Sequence, residues 1–474
     1  MRRRIDGIVV RCLALLLTAA VVTGCNTLPV IVPDMANSRT PVRVEAAGGR
    51  MLSVAQSKAL LARLGFGGAQ SSALERHLAL EQELAGTPLT AGNAAMLLQD
   101  GPATYAAMFA AIHGARDHIN LETYILEDDE VGRRFADALL EKQRAGVQVN
   151  LIYDAVGALG TPAAFFDRLK AGGIRVVQFN PVNPLQSRSA WAVNNRDHRK
   201  ILIIDGAIAF LGGINISAVY SGSSRPRGFG SSGGARQGPG QAKSNLPWRD
   251  THVQVSGPVV ATLQKFFIET WQRQGGPPLD TRSYFPALSA QGKEVIRAIA
   301  SAPEDPFSQI YATFISAINS AETEILLTNA YFVPDPQLKG SLIAAVGRGV
   351  DVKLILPSTT DSWLVFHAGR AHYAELLRGG VKLYERRDVL LHSKTAVVDR
   401  VWSTVGSTNL DWRSFLHNQE VNVVILGPEF AERMRASFDR DLAASTEITP
   451  QAWRQRGIDV RLKELFGRVW EYWL

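Results

Sequence analysis

Residues 194–215, NNRDHRKILIIDGAIAFLGGIN, place polar residues on both sides of an apolar run. His198, Lys200 and Asp205 have the spacing H-x-K-x4-D, and a Gly-Gly-x-Asn turn ends at Asn215. Residues two apart in a strand point to the same face, so the imidazole and the ammonium reach one edge of a sheet together. The apolar run behind them predicts a buried strand.

A second copy of this pattern lies near the C-terminus, in LLHSKTAVVDRVWSTVGSTN at 390–409. The spacing H-x-K-x4-D recurs, and a Gly-Ser-x-Asn turn again begins seven residues after the aspartate. The matching residues of this copy are His392, Lys394, Asp399, Ser407 and Asn409. Two copies with the same downstream turn indicate an internal duplication rather than chance.

The flanking sequence repeats as well. YAAMFAAIHGARDHINLETYIL (105–126) aligns without gaps to YATFISAINSAETEILLTNAYF (311–332), and each predicts an amphipathic helix followed by a strand. WRDTHVQVSGP matches NQEVNVVILGP and places Asp250 opposite Glu420. Alternating helices and strands predict an α/β fold made of two duplicated domains. The expected boundaries are 1–24 for a signal peptide, 25–100 for a tether with short helices, 101–285 and 286–445 for the two repeats, and 446–474 for an amphipathic tail.

The paired motifs predict a site for phosphoryl chemistry. Duplication puts two His and two Lys around one cleft on a pseudo-two-fold axis, at the interface of the two domains. One imidazole can attack phosphorus while the other protonates the leaving oxygen, and the ammoniums stabilise the charged oxygens. Lysine is not a metal ligand, so we expect neither a metal nor a cofactor. The carboxylates of Asp250 and Glu420 are candidates to orient the imidazoles, and the turns offer Asn215, Ser407 and Asn409 as phosphate-binding donors.

These motifs resemble the phospholipase D superfamily, which carries two HxKxxxxD motifs each followed by G-[GS]-x-N. The stretches NNRDHRKILIIDG, YFVP and NQEVNVVI resemble its bacterial cardiolipin synthase branch in particular. The resemblance covers about residues 100 to 445 and implies a phosphohistidine intermediate, with His198 as nucleophile and His392 as acid. It also implies that each acidic residue braces the His of the other half, so that Glu420 pairs with His198 and Asp250 with His392. The aspartates of the motifs, Asp205 and Asp399, are expected to be mainly structural.

The resemblance implies a phosphatidyltransferase that makes cardiolipin or related lipids, with phosphatidylglycerol as the expected substrate. A phospholipase D that hydrolyses headgroups is the alternative, since water or an alcohol can attack the same intermediate. A phosphodiester nuclease and a degenerate binding module are further alternatives. Without residues 1–24 the net charge of +7 falls to about +4, too low for the basic footprint of a nucleic-acid binder. We therefore expect no nucleic-acid partner, and we expect a monomer.

The N-terminus has the pattern of an export signal. Arginines precede the apolar run CLALLLTAAVV, which is about half the length of a membrane-spanning helix. The run closes with Val-Thr-Gly-Cys25, which resembles the bacterial lipoprotein box, whose cysteine becomes the lipidated N-terminus. A short membrane anchor is the alternative. Asn26 in place of Asp implies sorting to the outer membrane, so we expect a lipid-anchored protein on the periplasmic side of that membrane.

Two further segments leave their roles open. The first half carries about 24 more residues than the second between the Asn of the turn and the acidic residue, and the Gly-, Ser- and Pro-rich stretch 221–243 predicts a flexible surface loop. Its cations either contact anionic headgroups or are merely solvated. In the tail, apolar residues recur at helical spacing, and Trp473 is the last of them. This helix either lies in a membrane interface or packs against the catalytic body.

Overall fold

The structure is a computed structural model that describes residues 41–65, 72–183, 185, 192–222 and 246–471. The proposed signal peptide, the lipidation site Cys25, most of the loop 221–243 and Trp473 lie outside the described residues. No described helix is both long and apolar enough to cross a membrane.

The described strands form one 18-stranded sheet and a separate two-stranded ladder. The strands are β1 Val44–Ala46, β2 Arg50–Met51, β3 Leu89–Gln99, β4 His118–Thr123, β5 Gln148–Asp154, β6 Arg175–Phe179, β7 Arg196–Asp197, β8 Ile201–Ile204, β9 Ile208–Gly212, β10 Trp248–Arg249, β11 Thr251–Ser256, β12 Glu294–Ser301, β13 Glu324–Asn329, β14 Asp351–Pro357, β15 Lys382–Arg386, β16 Leu390–Leu391, β17 Lys394–Val398, β18 Trp402–Gly406, β19 Asn418–Leu426 and β20 Ser445–Glu447.

The helices cover both faces of the sheet and alternate with the strands along the chain. They are α1 Val54–Arg63, α2 Ser72–Ala85, α3 Asp100–Gly114, α4 Glu130–Arg144, α5 Ala163–Ala171, α6 Val259–Arg273, α7 Gln309–Ser320, α8 Pro336–Gly347, α9 Trp363–Arg370, α10 Tyr373–Arg378, α11 Trp412–Leu416, α12 Pro428–Ala443, α13 Pro450–Arg454 and α14 Ile458–Val469. Helices α4 and α8 stop just before Gly146 and Gly349, whose φ angles of +90° and +93° suit glycine.

The two halves have the same strand order. In the first half the order is β6-β5-β4-β8-β9-β11-β3, with β4, β5 and β6 parallel and the other neighbours antiparallel. In the second half the order is β15-β14-β13-β17-β18-β19-β12, with the same pattern of parallel and antiparallel pairs. The duplication predicted from the motifs is therefore also a duplication of topology, and the α/β fold class is confirmed.

Strand β3 joins the halves and was not expected from the sequence. It pairs with β11 on one side and with β12 on the other, so the sheet runs through both halves without a break. Its sequence, LTAGNAAMLLQ, is rich in small residues and contains Gly92, which weakens the strand signal. Pairing on both edges stabilises it instead. The segment before residue 101 thus contributes the counterpart of β12 in addition to the short helices that were expected.

Two short parallel ladders cross between the halves at the end of the central strands. Strand β7 of the first half pairs with the start of β19, and β10 pairs with β16 of the second half. The backbone continues these ladders, because the His198 amide donates to the Gln419 carbonyl at 3.0 Å and the His392 amide to the Arg249 carbonyl at 2.8 Å. Each motif histidine is thereby held beside the segment of the opposite half that carries the acidic residue, Glu420 for His198 and Asp250 for His392.

Candidate active site

The two motif histidines each pair with a carboxylate from the other half. His198 Nδ1 lies 3.0 and 3.1 Å from the two carboxylate oxygens of Glu420, and His392 Nδ1 lies 2.7 Å from Asp250 Oδ2. Both carboxylates are fully buried, and both imidazoles are nearly so. A carboxylate on Nδ1 fixes the tautomer, so each Nε2 is the nitrogen available to a substrate.

Each motif lysine lies beside the histidine of its own motif. Lys200 donates to the His198 carbonyl at 2.6 Å, and Lys394 donates to the His392 carbonyl. Burial lowers the pKa of Lys200 to about 7 and that of Lys394 to about 8, while Glu420 acts in the opposite direction on both. An anionic phosphate in the cleft would favour the charged form of both ammoniums, because an opposite charge nearby raises the pKa of a lysine.

The two His–carboxylate pairs differ in their electrostatics. Burial raises the pKa of Glu420 to about 7, despite Lys200 nearby. Burial also acts to raise the pKa of Asp250, but His392 and Lys394 lower it by more, so this carboxylate stays ionised. Burial, together with Lys200, lowers the pKa of His198 well below its usual range, and burial with Lys394 lowers that of His392. Two titratable pairs with unlike environments are suited to unlike roles.

The aspartates of the two motifs lie away from the imidazoles, at the far end of the motif strands. Asp205 accepts the backbone amides of residues 116, 117 and 118 at 2.8 to 3.0 Å, and Asp399 accepts those of residues 322, 323 and 324 over the same range. Both have positive φ, 52° and 51°. Each carboxylate therefore stabilises the turn that leads into the first of the three parallel strands, β4 in the first half and β13 in the second. This is a structural role.

The glycine-rich turns contact the carboxylates. A Cβ added at Gly213 would lie 2.2 Å from Asp250 Oδ1, so this turn leaves room for that carboxylate. In the second half the counterpart of Gly213 is Ser407, whose hydroxyl donates to Glu420 and accepts the Val421 amide. The buried Ser407 hydroxyl therefore supports the carboxylate, and its expected role as a phosphate donor stays a prediction.

The two turn asparagines have unlike surroundings. Asn215 accepts the Ile125 amide at 3.1 Å and donates to the Tyr220 hydroxyl at 2.9 Å, so both ends of its amide are engaged inside the protein. Asn409 is also buried, and among the described residues its side-chain oxygen has no hydrogen-bond partner. Phosphate binding by these two side chains remains a prediction.

Aromatic side chains that the motifs did not reveal surround the two imidazoles. The Tyr124 ring lies 5.1 Å from the His198 ring, edge to face. Around His392 lie Trp248, Tyr220 and Tyr331, with ring centroids at 5.1, 5.9 and 6.2 Å. Tyr220 and Trp248 stand just before and after segment 223–245, which lies outside the described residues. The sequence indicated Tyr220 and Trp248 only through their position at the two edges of the insertion in the first half.

Comparison with known proteins agrees with this geometry. Residues 108–221 and 314–442 match the family described as "Cardiolipin synthase, PLD-like domain". The chain belongs to this family, within the phospholipase D superfamily. Cardiolipin synthase from Geobacillus kaustophilus is 34% identical over 385 residues, which are 81% of this chain and 72% of that protein. Cardiolipin synthase A from Pseudomonas aeruginosa is 37% identical over 385 residues, 81% of this chain and 73% of that protein.

A solved structure supports the phospholipase D fold. Phosphatidylserine synthase from Haemophilus influenzae superposes with a TM-score of 0.60 at 12% identity, over 82% of this chain and 98% of that one. At this identity the likeness concerns the fold alone. The family membership and the crossed His–carboxylate pairs together identify an enzyme of the phospholipase D superfamily.

Proposed function

We propose that this enzyme is a phosphatidyltransferase of cardiolipin synthase type, which transfers a phosphatidyl group to the hydroxyl of a second lipid. The observation that carries the proposal is the pair of His–carboxylate contacts, His198 with Glu420 and His392 with Asp250. The two pairs lie close enough that, besides burial, the charges of Lys394 and His392 lower the pKa of His198. The identity of 34 to 37% with cardiolipin synthases supports the choice of substrate. Phosphatidylglycerol serves as both donor and acceptor.

In the first step the unprotonated Nε2 of His198 attacks the phosphorus of a bound phosphatidylglycerol. The bond between phosphorus and the glycerol oxygen breaks, and that oxygen takes the proton from Nε2 of His392. Lys200 and Lys394 stabilise the charge on the remaining phosphate oxygens. The assignment of His198 as the nucleophile follows the family resemblance, and it is supported by the pKa of His198 well below its usual range and by the ionised Asp250 beside His392.

In the second step the hydroxyl of another phosphatidylglycerol attacks the phosphohistidine. Its proton passes to Nε2 of His392, the bond between phosphorus and His198 breaks, and cardiolipin leaves. Both residues then have their starting protonation, so glycerol is the by-product of a complete cycle. No external proton donor is required.

The test is incubation of the purified protein with phosphatidylglycerol vesicles, followed by mass spectrometry of the lipids. We expect cardiolipin and free glycerol as the main products, and added glycerol should drive the reaction backward. A His392→Ala preparation serves as the control for contaminating enzymes. Phosphatidic acid as the dominant product, unaffected by glycerol, would instead identify a hydrolase that uses water as the acceptor.

We also propose that the enzyme works as a lipid-anchored monomer on the periplasmic side of the outer membrane. The sequence around Cys25 supports the anchor, because it resembles a lipoprotein box and follows an apolar run that is too short to span a bilayer. The monomer is supported by the site itself, since one chain supplies both histidines and both carboxylates. Intact mass of the membrane-extracted protein and sedimentation velocity test the two statements.

A further inference from the structure

The C-terminal helix α14 presents its apolar side to solvent. Six apolar residues on one side of the helix and its end are between 45% and 75% exposed, whereas an amphipathic helix of a globular protein normally buries this side. Trp363, at the start of α9, is 44% exposed and lies 6.1 Å from the Phe466 ring. The tail patch is defined as these seven residues: Trp363, Ile458, Leu462, Leu465, Phe466, Val469 and Trp470.

Helix α14 is held in this orientation by its small and polar side. A Cβ added at Gly467 would lie 2.5 Å from the backbone nitrogen of Ala368, so the glycine allows α14 to rest directly on α9. Glu464 is buried and accepts from Arg456 at 2.9 Å. Beyond the helix, Glu471 contacts His372 at 2.9 Å. The helix therefore packs against the rest of the described chain, but through contacts that leave its apolar side exposed among the residues that the structure describes.

Two residues connect one edge of the tail patch with the surroundings of His392. The Tyr331 ring lies 6.2 Å from the His392 ring, and its hydroxyl donates to Asp361. Trp363 follows only two residues later, a distance of at most about 7 Å along the chain. One edge of the patch is therefore linked through Asp361 and Tyr331 to the surroundings of His392.

Basic residues border the patch. Arg454, Arg461, Lys463 and Arg468 are exposed on α13 and α14, and Asp459 is the exposed acid among them, since Glu464 is neutralised by Arg456. An apolar stripe with aromatic residues and flanking cations is the pattern of a helix that lies in the interface of an anionic membrane. A second copy of this chain would instead bring like charges together.

We propose that the tail patch docks on an anionic phospholipid bilayer and places the cleft at the level of the headgroups. The inference rests on the proposed function only in taking the substrate to be a lipid. A lipid anchor alone would tether the protein without orienting it, whereas insertion of this helix fixes which face meets the membrane. The donor phosphate then enters the cleft without leaving the bilayer.

The first experiment measures insertion directly. An environment-sensitive fluorophore is attached to Leu465→Cys or to Phe285→Cys in the full chain, with vesicles of phosphatidylcholine alone or with about one third phosphatidylglycerol. Phe285 is the matched control, because it is 57% exposed against 62% for Leu465 and follows Tyr284, which contacts His118 at the far end of the sheet. We expect a blue shift at residue 465 with anionic vesicles and none at residue 285.

Three outcomes would overturn the proposal. They are no shift at residue 465, an equal shift at both positions, and a shift at 465 that grows with protein concentration without vesicles. The last would identify a second copy as the occupant of the patch. The parent protein, carried through the same labelling, reports any signal from Cys25.

The second experiment connects docking with turnover. We expect Phe466→Gln to lower activity on phosphatidylglycerol vesicles at least fivefold and to leave activity on a short-chain, monomeric phosphatidylglycerol unchanged, whereas Phe285→Gln changes neither. Equal activity of Phe466→Gln and the parent on vesicles would contradict the proposal. If the parent protein is inactive on every phospholipid while residue 465 still inserts, the proposed function fails and the docking surface stands.

Discussion

Replacing Glu420 by glutamine should make the protein more stable while making it less active. Burial raises the pKa of this carboxyl from its ordinary value of 4.5 to about 7. Since one pKa unit corresponds to ~1.36 kcal/mol, ionised Glu420 costs the folded state about 3 kcal/mol relative to the neutral form. Glutamine has nearly the same shape as the neutral acid and does not carry this cost.

The gain in stability depends on pH in a defined direction. The folded-state pKa of Glu420 lies above the unfolded-state value, so the stability that the neutral acid provides is fully present below about pH 4.5 and is lost as the pH rises through about 7. We therefore expect Glu420→Gln to unfold roughly 3–6 °C above the wild type at about pH 8 and within about 1 °C of it at about pH 5. Thermal unfolding followed by circular dichroism measures both values.

Activity should change in the opposite direction. The variant loses the negative charge that supports the His198 imidazole, and we expect its rate of cardiolipin formation to fall at least tenfold. Glu429→Gln is the matched control, because Glu429 is an exposed glutamate on α12 that pairs with Lys293. It should change neither the rate nor the pH dependence of the melting temperature.

The asymmetry between the two pairs provides the stricter test. Since His392 and Lys394 lower the pKa of Asp250, removal of this charge should destabilise the protein near neutral pH, and breaking a buried ion pair typically costs about 3–5 kcal/mol. Glu420→Gln and Asp250→Asn should therefore shift the melting temperature in opposite directions at about pH 8. A loss of stability in both variants, or a gain in Glu420→Gln that is the same at both pH values, would refute the reasoning.

Four other predictions concern the mechanism and the anchor. His198→Ala and His392→Ala should each lower turnover at least about 10⁴-fold, because nucleophile and acid act as a unit, and a tenth of wild-type activity in either would contradict this. Lys200→Ala and Lys394→Ala should reduce turnover at least about 100-fold by removing charge stabilisation of the phosphate, as measured by initial rates on vesicles. Incubation with EDTA should leave the rate unchanged, and restoration of lost activity by one divalent ion would argue against histidine chemistry alone. Cys25→Ser should abolish acyl attachment, visible as a loss of lipid mass from the membrane-extracted protein.

The central architecture follows from the sequence because the two halves repeat both spacing and order. Each half repeats the strand that follows the H-x-K motif and the strand next to the acidic residue. The shared topology of the two halves could therefore be predicted from the sequence, and so could a cleft that contains both His198 and His392. The identity of each carboxylate partner came from the family resemblance, and the structure makes both contacts. Spacing alone does not reveal it, because the partners are 222 and 142 residues apart.

Other features depend on packing that no local pattern encodes. Strand β3 is stabilised by pairing on both edges, and its small residues conceal it from strand propensity. The contact of Ser407 with Glu420 was not predicted, because the turn and β19 lie side by side only in the folded sheet. The periodicity of α14 identified its apolar side correctly. The periodicity could not show that α14 would pack against α9 through the opposite side, where Gly467 lies against the backbone of Ala368.

The unbroken sheet through β3 and β12 has a mechanical consequence. Antiparallel pairing links the halves along residues 90 to 93 and 294 to 296, so rotating one half away from the other would break backbone hydrogen bonds in the middle of the molecule. A hinge at this junction is therefore disfavoured, and we expect a long-chain lipid to enter without rotation of one half away from the other. We expect access to depend on the side chains at the rim of the cleft, which can rearrange without breaking the hydrogen bonds of the sheet. We therefore expect substitutions at the rim of the cleft to change the choice of acceptor, while the geometry of the two histidines stays constant.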